Sequence, residues 1–132
     1  MKPGASPVIT SRLPRPMIPL TELEADILGD LAWDSHLVGE IIGFVRSANP
    51  LEDDFGVYRL TYSLLESWID RGWLQLAPKP HHCEGVSTMR DLLPYFERHG
   101  VDVVSTECAL ELPEIDLTDQ AFLDVEWLRG AV

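Results

Sequence analysis

The chain has 132 residues, 45% of them hydrophobic, and a mean hydropathy of +0.00, which is the composition of an ordinary soluble domain. No stretch approaches the roughly 18 to 20 apolar residues of a membrane span, and no apolar run follows Lys2 as in a secretion signal, so we expect a cytoplasmic protein with no membrane contact. The formal net charge of -12 disfavours DNA binding and suits a basic protein as the partner.

The first 20 residues differ in composition from the rest of the chain. They contain five prolines and the basic residues Lys2, Arg12 and Arg15, but no acidic residue. Because proline removes backbone donors and favours extended conformations, we divide the chain into a Pro-rich N-terminal arm, residues 1–20, and a single domain, residues 21–132. The arm is either a disordered leader or a strap that packs over the domain through four apolar residues, Val8, Ile9, Leu13 and Ile18.

Two helices are predicted at the start of the domain. The sequence Thr21-Glu22-Leu23-Glu24 is a capping box, and the helix that follows has an apolar stripe of Leu23, Ile27, Leu28 and Leu31. Asp34 or Ser35 is the expected cap of a second helix over residues 36–48. Glycine is unfavourable inside a helix, so Gly39 and Gly43 predict that another backbone packs closely against this one.

A third helix is predicted from about Val57 to Arg71, with Gly72 as a left-handed stop. Its expected buried face consists of Leu60, Leu64, Leu65, Trp68 and Ile69. Residues 73–77, with the sequence WLQLA, alternate as a strand does.

The last third of the chain predicts a mixture of helices and strands. A helix is expected from Ser87 or Thr88 to residue 100, with Pro94 kinking or restarting it. Residues 101–105 and 108–112 alternate as strands do. Thr118 is the expected cap of a last helix, residues 119–130, which would pack on the domain through Phe122, Leu123, Val125 and Trp127. These elements together predict an α+β fold.

The segment LLESWIDRGWLQL resembles the recognition helix and first wing strand of winged-helix proteins, and EIDLTDQAF resembles the closure of their wing. The resemblance covers residues 21–77. It implies a three-helix core, a small antiparallel sheet and a C-terminal helix. The chain departs from the family pattern by an enlarged wing insertion of about 30 residues, with its own helix, where a short hairpin loop would be. The implied activity is DNA binding through the third helix.

The charges on the third helix argue against that activity. Outside its apolar face it offers Arg59 and Arg71 to phosphates, but it also carries Glu66 and Asp70, and the acidic run Glu52-Asp53-Asp54 lies just before it. Because phosphate contacts supply most of the affinity for DNA, we expect no binding to nucleic acid.

No catalytic or metal-binding motif is visible. The chain lacks a phosphate-binding glycine loop, a nucleophile elbow and a dinucleotide fingerprint, so we expect neither an enzyme nor a cofactor. His81-His82-Cys83, with His99 and Cys108, is the one candidate zinc cluster, but its spacing differs from that of zinc fingers, and we expect no metal.

In overall profile the chain resembles the small, acidic immunity proteins that neutralise bacterial toxins. The resemblance implies a non-catalytic inhibitor of a basic toxin. The alternative is a winged-helix transcriptional regulator or a dimeric adaptor, and a homodimer is possible under either. Two acidic segments are the candidate partner-binding residues: Glu52, Asp53 and Asp54, and Glu107, Glu111, Glu114 and Asp116.

Overall fold

A computed structural model describes residues 20–77, 85–105, 112–125 and 128. These residues form five α-helices, one 3-10 helix and three short strands, which confirms the predicted α+β fold. In chain order the elements are α1 (Glu22–Trp33), β1 (His36–Leu37), α2 (Val38–Ala48), α3 (Asp54–Asp70), β2 (Leu74–Leu76), α4 (Met89–His99), the 3-10 helix (Gly100–Val104), β3 (Glu114–Leu117) and α5 (Asp119–Asp124).

The three strands form one antiparallel sheet in the order β1-β3-β2. On the two sides of β3, Ile115 lies opposite both His36 and Leu76. Ile115 and Leu117 are buried, so this face of the central strand packs on the core. The strand predicted over residues 73–77 is confirmed as β2.

The capping box at the start of α1 is confirmed. The Glu24 amide donates to Thr21 Oγ1, and the Thr21 amide donates to Glu24 Oε1, both at 3.1 Å. The second carboxylate oxygen of Glu24 accepts from Trp68 Nε1 at 3.1 Å. Glu24 therefore both caps α1 and ties it to α3.

Helix α2 begins later than predicted. Neither Asp34 nor Ser35 caps it; the cap is Leu37, whose amide donates to Glu40 Oε1 at 2.8 Å. The reason is that His36 and Leu37 form β1 and pair with β3 before the helix starts.

Gly43 lies exposed on α2, and a Cβ atom built there would meet nothing within 4 Å. The predicted close packing of another backbone is therefore wrong at this position. Gly43→Ala is expected to raise the free energy of unfolding by about 0.5 to 1 kcal/mol, because alanine loses less conformational entropy in a helix. Urea denaturation measures the change, and a loss of stability would place an unseen neighbour against this glycine.

Helix α3 begins at Asp54, a few residues before the predicted start. Asp53 is its cap, and its carboxylate accepts from the Gly56 amide at 2.8 Å. The predicted stop is confirmed: Gly72 has φ +76°, and the Gly72 and Trp73 amides donate to the carbonyls of Ile69 and Trp68, each at 3.0 Å. These paired bonds satisfy carbonyls that a helix end leaves open.

The buried face of α3 is rotated from the predicted one. Leu65, Trp68 and Ile69 are buried as expected, but Leu60 is 38% exposed and Thr61 is fully buried in its place. Val57, Thr61, Leu65 and Trp68 follow the helical repeat of three and four residues, so a buried threonine completes the stripe.

Helix α4 begins after Thr88, as predicted. The Asp91 carboxylate accepts from the amides of Ser87 and Thr88, both at 3.0 Å. These hydrogen bonds lower the pKa of Asp91 from its usual value. The helix continues through Pro94 without restarting.

The strand predicted over residues 101–105 is wrong. Residues Gly100–Val104 form a 3-10 helix, which begins where Gly100 takes a φ of +57°. Val103 and Val104 are both buried, so the 3-10 helix brings these apolar side chains into the core without pairing in a sheet. The Val104 carbonyl accepts from Arg46 at 3.0 Å rather than from a neighbouring strand.

Helix α5 follows Thr118, but the threonine hydroxyl does not cap it. The hydroxyl donates to the Gly72 carbonyl, and the Thr118 amide donates to the Trp73 carbonyl at 2.9 Å. The antiparallel pairing of β2 with β3 explains both hydrogen bonds, because its register places Thr118 opposite Trp73 and next to Gly72. Trp73 Nε1 donates to Asp124 at 2.8 Å and so holds α5 on the domain.

The predicted packing of the C-terminal helix is met only in part. Val125 is buried and Phe122 is half-buried, but Leu123 is 48% exposed, so its predicted burial is wrong. Trp127, most of the predicted strand over residues 108–112, and residues 1–19 lie outside the described residues. Within the described ranges, no helix has the length and apolarity needed to cross a bilayer.

Candidate partner-binding site

The turn between α2 and α3 and the first residues of α3 present apolar and acidic side chains together. We call these residues the junction surface: Leu51, Glu52, Asp53, Asp54 and Phe55. All five are exposed, and the exposed fractions of Leu51 and Phe55 are 99% and 54%. Sequence reasoning found the carboxylates but missed the two apolar residues, although both flank the acidic run directly.

The carboxylates of the junction surface have local structural roles. Asp53 caps α3, and Asp54 accepts from Arg46 at 2.9 Å. The Glu52 side chain lies against Gly56, where a Cβ atom would overlap it. The three carboxylates therefore each have a local contact within the turn or with α2.

Two arginines lie near this surface and moderate its charge. Arg46 offsets the charge of Asp54, and the Arg59 guanidinium lies over the Phe55 ring, 5.6 Å from its centroid. Glu52 and Asp53 add two further carboxylates at the solvent-exposed edge. The surface therefore combines two exposed apolar side chains with a modest local excess of negative charge.

The second predicted acidic set lies on a different element. Glu114 and Asp116 alternate with the buried residues of β3, so both lie on the face of the sheet away from the core, and both are half-buried. The Asp116 carboxylate accepts from the Leu117 amide at 2.8 Å. Glu107 and Glu111 lie outside the described residues, so only half of this predicted set is placed.

Two exposed arginines, Arg59 on α3 and Arg71 just after its last residue, are the cations that this helix brings to the surface. The guanidinium groups of Arg59 and Arg71 lie over the rings of Phe55 and Trp73, with Arg71 at 5.2 Å from its ring centroid. Helix α4 covers a further part of α3, where the rings of Tyr58 and Phe96 stack at 6.5 Å.

Carboxylates from α3 and α4 lie near the Tyr62 side chain. Partial burial raises the pKa of Tyr62 above the ordinary value for tyrosine, and the nearby carboxylates of Glu97 and Glu66 raise it further. The same carboxylates would oppose a phosphate group at this place.

Among the residues that the structure describes, no three of the types His, Cys, Asp and Glu are grouped so as to hold a metal ion. His81, His82, Cys83 and Cys108 lie outside those residues, so the prediction of no metal at this cluster stays a prediction.

Comparisons with protein families, with curated proteins and with solved structures find no match to this chain.

Proposed function

We propose that the protein is a non-catalytic inhibitor that binds a basic protein, and that the bound protein is a toxin to which this chain gives immunity. The observation that carries the proposal is the junction surface, where two exposed apolar residues flank three exposed carboxylates. Exposed apolar residues surrounded by polar ones are typical of protein-protein interfaces.

Leu51 and Phe55 are the proposed anchors of the interface. Burying apolar side chains contributes about 1.5 to 3 kcal/mol each, and such anchors set the rate of dissociation. Because Asp53 already caps α3 beside these anchors, the backbone that carries Phe55 is ordered before binding, and binding orders little additional chain.

Negative charge has a separate role in the proposal. The net charge of -12 draws a cationic partner from a distance, and Glu52 and Asp53 act on it at close range. The expected partner surface is therefore rich in Lys and Arg around apolar pockets.

Affinity capture from cells that make the chain tests this proposal. The baits are the wild-type chain, a Leu51→Ser/Phe55→Ser variant, and a Glu114→Gln/Asp116→Asn control on the sheet. Capture is done at about 0.15 M salt, where the Debye length is only about 8 Å, so that nonspecific binding of basic proteins is suppressed.

We expect the wild-type and control baits to enrich the same basic protein, and the junction variant to lose it. If the junction variant retains the protein in equal amount, the interface lies elsewhere. If no bait enriches a basic protein, the inhibitor proposal fails.

A winged-helix regulator is the second candidate, favoured by the order of the elements. Helix α3 ends at Asp70, and the turn at Gly72 leads directly into β2. Strand β2 pairs with β3, and β3 leads through Thr118 into α5. This is the arrangement on which the sequence resemblance rests. The structure also places α4 and the 3-10 helix in the segment that would be the wing, and both pack against α3.

We expect the regulator candidate to fail in a DNA-binding assay. Nonspecific DNA binders that make several phosphate contacts reach dissociation constants of only about 10⁻⁴ to 10⁻⁶ M, whereas α3 and its C-cap offer two arginines, Arg59 and Arg71, with Glu66 and Asp70 beside them. Fluorescence anisotropy measures the affinity for DNA, with one labelled duplex of random sequence and one from the promoter region of the protein's own gene. Sub-micromolar binding that weakens with salt would favour the regulator over the inhibitor.

A further inference from the structure

A groove runs between the first turns of α1, the end of α2 and the outer side of α3. Its volume is about 590 Å³. Leu23, Leu60 and Leu64 supply its apolar lining, and all three are at least partly exposed. The groove does not include any residue of the junction surface.

Among the residues that the structure describes, the charged ones that line the groove are all acidic: Glu22, Glu24 and Asp26. Glu24 is already engaged by the Thr21 amide and the Trp68 indole. Glu22 and Asp26 are exposed and form no ion pair with any residue in the described part of the chain. The groove therefore suits an occupant that carries apolar and basic side chains together.

Residues 1–19 have that chemistry. They contain Lys2, Arg12 and Arg15 with no acidic residue, and apolar side chains stand between and after the arginines at Leu13, Met17 and Ile18. Prolines at positions 14, 16 and 19 favour an extended chain, which rises about 3.1 Å per residue, so residues 13–18 have the reach to follow a groove of this size.

The segment also joins the domain at the groove. Leu20 packs against the core and Thr21 lines the groove itself. A short tether of this kind gives an effective concentration on the order of millimolar, so even a weak interaction is populated within one molecule.

We propose that residues 12–19 of the chain occupy this groove, with Leu13, Met17 and Ile18 against its leucines and with Arg12 and Arg15 at its acidic edge. The occupant is the chain itself, and the inference does not depend on the proposed partner.

Limited trypsin digestion tests the proposal on the full chain. Trypsin does not cut before proline, so the Arg12–Leu13 bond is the one cleavage site that precedes Leu20. Cleavage of an occupied segment follows the fraction of time it spends released, so we expect this bond to be cut at least about tenfold more slowly than in a synthetic peptide of residues 1–19.

Two variants and one control identify the place of protection. Leu60→Gln removes apolar lining, and Glu22→Gln/Asp26→Asn removes the acidic edge without changing that lining. Leu123→Gln, at an exposed leucine of α5, is the matched control. We expect both groove variants to accelerate cleavage several-fold and the control to leave the rate unchanged, with all thermal unfolding midpoints close to that of the wild type.

Each other result overturns the proposal. Wild-type cleavage as fast as in the peptide shows an empty groove. Slow cleavage in both groove variants shows that the segment binds elsewhere. Faster cleavage in the Leu123→Gln control, as in the groove variants, shows that the protection is not specific to the groove. Protection that grows with protein concentration shows that a second copy, rather than the same chain, supplies the occupant.

Discussion

Replacing Leu65 with Ala is expected to lower the free energy of unfolding by about 2 to 5 kcal/mol. Leu65 is fully buried on α3, and the truncation leaves a cavity that its close-packed neighbours fill only in part. Chemical denaturation followed by tryptophan fluorescence measures the loss.

Leu60→Ala is the matched control on the same helix. Leu60 is 38% exposed, so its truncation is expected to cost well under half as much as that of Leu65. Equal losses at the two positions would mean that α3 packs with the face predicted from sequence alone. A loss below about half a kilocalorie per mole at Leu65 would contradict the packing of α3 altogether.

Neutralising the junction carboxylates is expected to slow association with the basic partner about tenfold at low salt and to flatten the salt dependence of the rate. The variant is Glu52→Gln/Asp53→Asn/Asp54→Asn. Asparagine retains the capping function of Asp53, and the Arg46–Asp54 pair is exposed, so the fold is expected to persist. Stopped-flow or surface plasmon resonance measurements at several salt concentrations report the rate.

The control for this prediction is Glu114→Gln/Asp116→Asn on β3. It removes charges of the same kind from the face of the sheet away from the core. If the control slows association and the junction variant does not, the partner binds the sheet. If neither set changes the rate, the negative charge contributes solubility rather than steering.

Local signals in the sequence predicted much of the fold. The capping box at Thr21, the stop at Gly72 and the start of α4 after Thr88 depend on a few neighbouring residues, and all three are confirmed. Such features are encoded within one turn of chain, so distant contacts do not change them.

Features that depend on distant contacts were not predictable in this way. Thr61 replaces Leu60 in the core because the packing of α3 selects the face, and a threonine gives no apolar signal. Residues 101–105 alternate as a strand does, but Arg46, far away in the chain, binds the Val104 carbonyl. β1 has only two residues, which is too short for a periodic pattern.

The candidate site was predictable only in its charges. The acidic run Glu52-Asp53-Asp54 is plain in the sequence, whereas the exposure of Leu51 and Phe55 follows from how α2 and α3 meet. The ion pair of Asp54 with Arg46 likewise depends on how α2 and α3 pack against each other.

Inhibition of the captured partner tests the central proposal most directly. The partner is purified, its own activity is assayed, and the chain is titrated in. Our account predicts loss of activity at one equivalent of the wild-type chain and much weaker inhibition by the Leu51→Ser/Phe55→Ser variant. Full partner activity at saturating wild-type chain, or equal inhibition by the variant, would contradict it.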